Sequence, residues 1–160
     1  MLRTQQTESY LTFKLDNELF AINVGKVLEI LEMKQITKVP KSPAFMKGVI
    51  NLRGNILPVI DTRNKFGMPQ QDYTIDTCII VLSIDAAGDP LLVGAIVDSV
   101  QKVIDIPEGS IQPSLSLGAM YREDFINGIG KIDDDFVMIV NIDKVFSTDD
   151  LAVMETEKQY

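Results

Sequence analysis

Histidine is absent from this 160-residue sequence, and cysteine occurs once. Without histidine there is no Ser-His or Cys-His nucleophile pair, no phosphohistidine and no zinc site of the usual ligand set. The single cysteine, Cys78, lies within the apolar run TCIIVL, where a small buried side chain is the simplest interpretation. Carboxylate or lysine chemistry stays open, so these absences disfavour an enzyme without excluding one, and we predict no catalytic site, no metal site and no cofactor.

Long apolar runs and an excess of positive charge are also missing. No apolar run approaches the ~20 residues that cross a bilayer, and the first ten residues lack the apolar core of a secretory signal. The formal net charge of −8 argues against nucleic acid as a partner. A lone cysteine without a signal peptide is typical of the reducing cytoplasm. We therefore predict a cytoplasmic globular protein that does not insert into the membrane.

Short strands separated by turn residues dominate what is present. SYLTFKL and LFAIN predict one hairpin, and GVINL and NILPVID predict another, joined at Arg53 and Gly54. The run VGKVLEIL has apolar residues at helical spacing, which predicts one or two helical turns. SPAFMKG is typical of a helical turn capped by Ser42, with Pro43 at its first position. The tail from Ser147 predicts a C-terminal helix. Many short strands favour small barrels over a βαβ sheet.

The chain also repeats itself weakly. Residues 48–66 align without a gap on residues 128–146, and residues 24–30 align on residues 97–103. Because two segments match in the same order at nearly the same spacing, we interpret them as two similar all-β sub-barrels. Each is too small to be stable alone, so they should share an interface. We place the first mainly at 15–70 and the second mainly at 76–145, with the chain passing between them near residues 67–75 and again near the C-terminal end.

The string GVINLRGNILPVID resembles the CheW family of chemotaxis coupling proteins. FAINVGKVLEIL before it, VGAIVDSVQKVIDIP after it, and FINGIGKI with FVMIVNIDKVF near the end lie in family order. The resemblance covers residues 9–149, between an N-terminal tail at 1–8 and a C-terminal tail at 150–160. It implies two interleaved, five-stranded, SH3-like barrels packed side by side. Nothing resembles a kinase nucleotide motif or a receiver domain, so we expect a free-standing adaptor.

The resemblance implies a function and its partner surfaces. The adaptor would link the cytoplasmic hairpin tips of chemoreceptors to the regulatory domain of the histidine kinase CheA, in arrays at the membrane. A receptor tip would dock as a helix in a groove between the barrels. The matching receptor-binding positions are Val27, Glu29, Gly48, Arg53, Gly94, Val100 and Val103. The first barrel would bind CheA through Ile36, Thr37, Val39 and Ile56, and the second barrel would make a further kinase contact at Gln112 and Leu117.

From the residues alone, the same positions have structural explanations. Arg53 would be an exposed turn residue beside Gly54 with positive φ, or it would pair with Glu29. The valines would be core and the glycines strand bends. Asp61 and Asp143 would each cap a helical turn rather than form a catalytic pair. Two other functions stay open: a CheW-like scaffold of another two-component pathway, and a small-ligand-binding or hydrolytic barrel.

Overall fold

The computed structural model describes residues 7–86, 88–113 and 125–158. These residues form short strands, two helices and connecting 3₁₀ turns. The strands are β1 (Thr7–Leu15), β2 (Glu18–Asn23), β3 (Val27–Glu32), β4 (Met46–Leu52), β5 (Asn55–Asp61), β6 (Cys78–Ala86), β7 (Asp89–Val97), β8 (Ser99–Pro107), β9 (Gln112–Pro113), β10 (Ile126–Ile132) and β11 (Asp135–Val140). The helices are α1 (Thr62–Lys65) and α2 (Thr148–Lys158). In this part of the chain, no helix is long and apolar enough to span a bilayer.

The strands form two sheets of the same plan, as the repeat predicts. The first barrel has the order β3-β6-β7-β5-β4, and the second has the order β8-β1-β2-β11-β10-β9, with only two residues in β9. Each contains a parallel pair, β5 with β7 in the first and β11 with β2 in the second. The hairpin β4–β5 occupies in the first barrel the place that β10–β11 occupies in the second. The all-β, two-barrel prediction is confirmed.

The chain is divided between the barrels differently from our prediction. Strands β6 and β7, expected in the second barrel, complete the first, and the hairpin β1–β2 belongs to the second. The chain passes between barrels at the 3₁₀ turn Val24–Lys26 and at Asp98, not near residues 67–75. Near the C-terminal end, α2 returns to the first barrel and packs on β5. Boundaries at 15–70 and 76–145 were wrong because parallel pairing joins strands far apart in sequence.

Three apolar clusters show why the two barrels need each other. Successive side chains of a strand point to opposite faces of its sheet. In β6, Ile79 and Val81 point into the first barrel, whereas Ile80 and Leu82 face the second. A small cluster around Tyr10 fills the second barrel. The largest cluster combines residues of both barrels, so most of the core lies at their interface.

Neither of the two segments predicted as helical turns forms an α-helix, although the first contains one 3₁₀ turn. VGKVLEIL forms the 3₁₀ turn Val24–Lys26 and then strand β3, because pairing with β6 satisfies its backbone groups. SPAFMKG forms turns in which the Ser42 hydroxyl donates a hydrogen bond to the Val39 carbonyl (2.8 Å). In both segments, tertiary pairing overrides the local pattern.

The residues that cap the helical turns after β5 and β11 occupy equivalent positions of the repeat, which differs in part from our prediction. Asp61 caps α1 as predicted, because its carboxylate accepts a hydrogen bond from the Asn64 N–H (3.2 Å). In the second barrel the equivalent residue is Asn141, and Asn141 rather than Asp143 caps the turn Ile142–Lys144. The predicted C-terminal helix is present as α2.

Candidate functional site

The turn between β4 and β5 presents Arg53 at its tip. Its two central residues both have positive φ, 52° at Arg53 and 87° at Gly54, which is characteristic of a type I′ hairpin turn. The Asn51 side-chain oxygen accepts a hydrogen bond from the Gly54 N–H (2.7 Å). The positive φ that we expected of Gly54 alone is therefore shared with Arg53.

Arg53 forms a two-point ion pair with Glu29 of β3, as predicted. Its Nη1 donates to Glu29 Oε1 (3.1 Å), and its Nη2 donates to Glu29 Oε2. The hydrogen bond from Arg53 holds the pKa of Glu29 below its usual range. Because β3 and β4 are the two edges of the first sheet, the pair joins these edges across the open side of the barrel. The Arg53 side chain is still 68% exposed.

The edge strands β3 and β8 carry uncovered apolar side chains beside the inter-barrel core. Ile30 lies opposite Ile80, and Val103 lies opposite Leu11; Ile80 and Leu11 are buried between the barrels. Directly opposite residues of antiparallel strands share a face of the sheet. Ile30 and Val103 therefore lie on the interface side, and yet they are 46% and 58% exposed.

Strands β3 and β8 approach each other across one end of β6. Cys78, at the start of β6, pairs with Glu32 at the end of β3. Burial raises the pKa of the Cys78 thiol, and a hydrogen bond from the Val100 backbone partly offsets that rise. Cys78 also pairs with Val97, two residues before β8, so the start of β8 lies one strand away from the end of β3. Val27 and Val100 pack, partly buried, against the inter-barrel cluster.

We call the apolar residues of these two edge strands that flank the inter-barrel core the groove. It comprises Val27, Leu28, Ile30, Val100 and Val103. Sequence reasoning missed Leu28 and Ile30, which are 54% and 46% exposed, because it interpreted VGKVLEIL as helical. The alternating apolar residues at 28 and 30 were the signal of a strand with an apolar outer face.

The two predicted receptor-binding glycines do not line the groove. A Cβ on Gly48 would lie 2.1 Å from the Thr37 carbonyl oxygen, and Gly48 has a φ of +151°. It lies at a register shift of β4, so the strand-bend alternative describes it. A Cβ on Gly94 would lie 2.8 Å from Ile79 Cγ2, inside the first barrel. Both glycines allow close packing of the first barrel.

The predicted kinase-binding residues divide into surface and support. Thr37 is exposed and exchanges two backbone hydrogen bonds with Val49 of β4 (both 2.9 Å). Ile56 is half-buried at the start of β5. Ile36 packs into the first barrel, and Val39 packs against the inter-barrel cluster. Thr37 and Ile56 therefore define this surface, which we call the hairpin patch, whereas Ile36 and Val39, which are also half-buried, pack inward.

The second barrel repeats the hairpin patch. Gln112 pairs with Ile129 of β10, and a Cβ on Gly128 would lie 2.4 Å from the Gln112 carbonyl oxygen. Gln112 thus takes the place of Thr37. Phe136 takes the place of Ile56 and is 68% exposed. Leu117, the other residue of the predicted second kinase contact, lies outside the described residues.

A buried arginine that sequence reasoning did not single out joins the barrels. The Arg63 side chain, on α1, is 7% exposed. It binds Asp98 through Nε (2.9 Å) and Nη2 (2.5 Å), and its Nη2 also lies 2.7 Å from an Asp16 carboxylate oxygen. Hydrogen bonding to Asp98 raises the pKa of Arg63 although burial opposes the rise. In the sequence, Arg63 is a charged residue that follows a predicted strand, and only the tertiary structure shows its partners.

A second ion pair joins the barrels at the other passage of the chain. Lys26, in the turn before β3, binds Asp143 (2.6 Å), and the side chains are 35% and 29% exposed. The other Asp143 oxygen accepts a hydrogen bond from the Asp85 N–H at 2.9 Å. The predicted cap residue Asp143 is therefore an inter-barrel contact instead.

Comparisons with known proteins agree with this architecture. The family model of the CheW-like domain matches residues 9–150. The chain is 32% identical to a chemotaxis protein CheW of Klebsiella aerogenes, over 92% of this chain and 87% of that protein. It is also 32% identical to a probable chemotaxis protein CheW of Rhizobium etli, covering 89% and 90% of the two chains. The crystal structure of the scaffolding protein TtCheW from Thermoanaerobacter tengcongensis superposes with a TM-score of 0.78 at 34% identity, over 91% of this chain and 96% of that one.

Two paired barrels that superpose on the solved CheW scaffold define a scaffold of the CheW type. The chain belongs to the CheW-like domain family. Its function is that of a chemotaxis coupling adaptor.

Proposed function

We propose that this chain binds chemoreceptor hairpin tips in the groove and the regulatory domain of the histidine kinase CheA on the hairpin patch. It works in the cytoplasm, held at the receptor array by its partners and without catalysis of its own. The observation that carries the proposal is the uncovered apolar margin at Leu28, Ile30 and Val103. Clustered exposed apolar side chains are typical of interaction sites.

The groove fits a helical partner. A helix presents apolar side chains at positions three and four apart, which lie along one face and fill an apolar groove. Glu29 precedes Ile30 in β3 and lies opposite Val81, which points into the first barrel, so its ion pair with Arg53 lies on the other face of β3 from Ile30. In this proposal, Glu29 orients an exposed arginine that the receptor tip meets beyond the edge strand β3, next to the groove and not inside it.

The hairpin patch is a separate surface for CheA. Thr37 and Ile56 belong to the β4–β5 side of the first barrel, whereas the groove is built from β3 and β8. We propose a second kinase contact at the equivalent surface of the second barrel, formed by Gln112 and Phe136. Support for it is the repeated geometry of the two hairpins and the 68% exposure of Phe136.

The alternatives receive less support from the geometry. A cavity of about 480 Å³ lies within the roughly 300–1,000 Å³ of usual small-molecule sites, but polar residues that include Lys14, Asp16 and Asp98 line it, whereas such sites are mostly apolar. An apolar cavity of about 240 Å³, lined by residues that include Phe20, Phe66 and Met138, is smaller than that range. Asp61 caps α1 and Asp143 binds Lys26, so each carboxylate has its own structural partner.

A scaffold of another two-component pathway would use the same surfaces. Partners can be captured from cells with the wild-type protein and with a variant of the groove, Ile30→Ser. Identification of the captured proteins separates that pathway from chemotaxis.

Two binding titrations test the proposal, one with a receptor cytoplasmic fragment and one with the CheA regulatory domain. We expect Ile30→Ser to weaken receptor binding and Ile56→Asp to weaken CheA binding, each by about 1–3 kcal/mol if its residue is central. The matched control is Ile75→Ser, because Ile75 is 98% exposed and lies outside both surfaces.

The two losses should be independent. Thermal melts of all three variants show whether a loss of binding reflects unfolding. If Ile30→Ser and Ile56→Asp each weaken both partners equally and lower the melting temperature, the two-surface proposal is wrong. If Ile30→Ser binds the receptor fragment like the Ile75→Ser control, the groove is not the receptor site.

A further inference from the structure

Arg63 links three segments that meet beside the groove. Its guanidinium binds Asp98 between β7 and β8, Asp16 in the β1–β2 turn, and the Pro69 carbonyl oxygen (2.9 Å) after α1. We infer that Arg63 is a positioning residue: it fixes the start of β8 against the first barrel and thereby sets one margin of the groove. Its consequence for receptor binding rests on the proposed function.

Asp98 transmits the constraint to β8. It is the single residue between the end of β7 and the start of β8. One carboxylate oxygen accepts from Arg63 Nε, and the other accepts from both Arg63 Nη2 and the Asp16 N–H (2.7 Å). Its own N–H donates to the Lys14 carbonyl oxygen (3.1 Å). Asp98 is therefore tied to both barrels, two residues before Val100 of the groove.

An arginine suits this position better than a lysine. Its planar guanidinium carries five donors in a fixed fork, so it holds a carboxylate at two points and still reaches further acceptors. Lysine would keep the charge but not the two-point geometry. The Arg63 side chain is only 7% exposed, whereas Asp98 and Asp16 are 30% and 45% exposed, so solvent screens the contact with Asp98 less than the contact with Asp16.

The pair Lys26–Asp143 holds the other margin more loosely. Lys26 immediately precedes β3, just as Asp98 immediately precedes β8. Lys26 makes a single contact with Asp143, and both side chains are about a third exposed, at 35% and 29%. The geometry therefore makes the Arg63 contact the stronger determinant of where the two groove strands lie.

The first test measures how well the backbone amides of β8 are protected from exchange in the absence of any partner. Amide hydrogen exchange is compared by mass spectrometry in the wild type, Arg63→Gln, Arg63→Lys and the control Lys65→Gln. Lys65 is a neighbouring, partly buried cation that pairs with Asp150 and does not contact β8. We expect Arg63→Gln to speed exchange selectively at residues 98–103, Arg63→Lys to recover only part of the protection, and Lys65→Gln to leave these residues unchanged.

The second test measures receptor and kinase affinities of the same variants. We expect Arg63→Gln to weaken receptor binding by roughly three- to thirtyfold and to leave binding of the CheA regulatory domain unchanged. A general loss of stability would weaken the binding of both partners. A loss of receptor binding alone is therefore what a positioning role predicts. If Arg63→Gln does not fold, Asp16→Asn replaces it, because that side chain is 45% exposed.

The outcomes separate the inference from the proposed function. Exchange at residues 98–103 that matches the Lys65→Gln control overturns the positioning role. Equal losses for both partners overturn it too. Selective exchange at β8 in a protein whose receptor affinity is insensitive to Ile30→Ser supports the positioning role and instead contradicts the receptor groove.

Discussion

The β4–β5 turn of the first barrel presents Arg53, whereas the equivalent β10–β11 turn of the second presents Asp133. The backbone is the same at both, with φ of 52° and 53°. Glu29 on β3 binds Arg53, and the repeat places Lys102 of β8 where Glu29 stands. Corresponding positions thus carry opposite charges on a shared backbone plan.

The same inversion occurs where the barrels meet. Arg63 after β5 and Asp143 after β11 are equivalent in the repeat. Arg63 binds the acid Asp98 at one passage of the chain, and Asp143 binds the base Lys26 at the other. The comparison shows that glycines and alternating apolar residues define the backbone plan that the two barrels share. The charged residues then give the two barrels different surfaces.

The largest effect should come from the glycines that define the shared frame. We expect Gly48→Ala to destabilise the fold by about 3 kcal/mol or more, because the new Cβ would meet the Thr37 carbonyl at 2.1 Å and φ is +151°. Gly128→Ala meets a carbonyl at 2.4 Å without a positive φ, so we expect a smaller loss of about 2 kcal/mol. Urea denaturation measures both.

Gly54→Ala is the matched control for backbone strain alone. Gly54 has φ +87°, and a Cβ added there would meet nothing within 4 Å, so we expect a loss of about 1 kcal/mol. A loss at Gly48 no larger than that at Gly54 would show that the close strand approach is not what this glycine serves.

The two inter-barrel ion pairs should also differ in how much each contributes to the free energy of unfolding. We expect Arg63→Gln to lower the free energy of unfolding by about 3 kcal/mol, because it leaves Asp98 without its buried partner. Lys26→Gln should cost less than about 1 kcal/mol, because both side chains of that pair are partly exposed. Similar losses in the two variants would mean that burial does not distinguish the pairs.

The smallest effect on stability should come from the Arg53–Glu29 pair. In Arg53→Gln the pKa of Glu29 should rise toward its ordinary value, because the hydrogen bond from Arg53 is what lowers it. A lowered carboxyl pKa stabilises the fold above the pKa of the unfolded state, and this contribution is lost as pH falls through the folded pKa. An NMR pH titration of the Glu29 carboxyl measures the shift, and an unchanged pKa would contradict the pairing.

Charge exchange tests what the pair does for a partner. We expect Glu29→Arg to reduce receptor coupling with little change in melting temperature, and the double variant with Arg53→Glu to recover part of it. Glu29→Arg makes two like charges adjacent, whereas the double variant restores opposite ones. A double variant no better than the single ones would show that the pairing does not matter for coupling.

Several features could be predicted from the sequence because they depend on residues close together in the chain. The β4–β5 hairpin, the Asp61 cap and the C-terminal helix follow from turn chemistry, capping and periodicity. The internal repeat predicted two barrels with a shared core, and the opposite charges of Glu29 and Arg53 predicted their pair. Thr37 is exposed and Ile56 half-buried, as a partner surface requires, and their role in kinase binding stays a prediction.

The predictions that failed concerned features that depend on pairing between segments distant in the sequence. Apolar residues at 24, 27, 28 and 31 fit a helix as well as a strand, and only pairing with β6 makes them β3 and exposes Leu28 and Ile30. Likewise, the acid nearest to Arg63 in the sequence is Asp61, which caps α1, whereas its partners Asp16 and Asp98 are distant in the sequence.

The sequence by itself thus determined the local structure. Alternating apolar residues form strands, and a glycine allows the close backbone approach at the bend of each hairpin, β4–β5 and β10–β11. The tertiary structure decided which strands belong to which barrel, through the parallel pairs β5–β7 and β11–β2. It also decided which charges are buried, since Arg63 acquires Asp98 and Asp16 only when the barrels pack. The physical reason is that side-chain alternation specifies the faces of a strand but not its neighbours, which the burial of both faces selects.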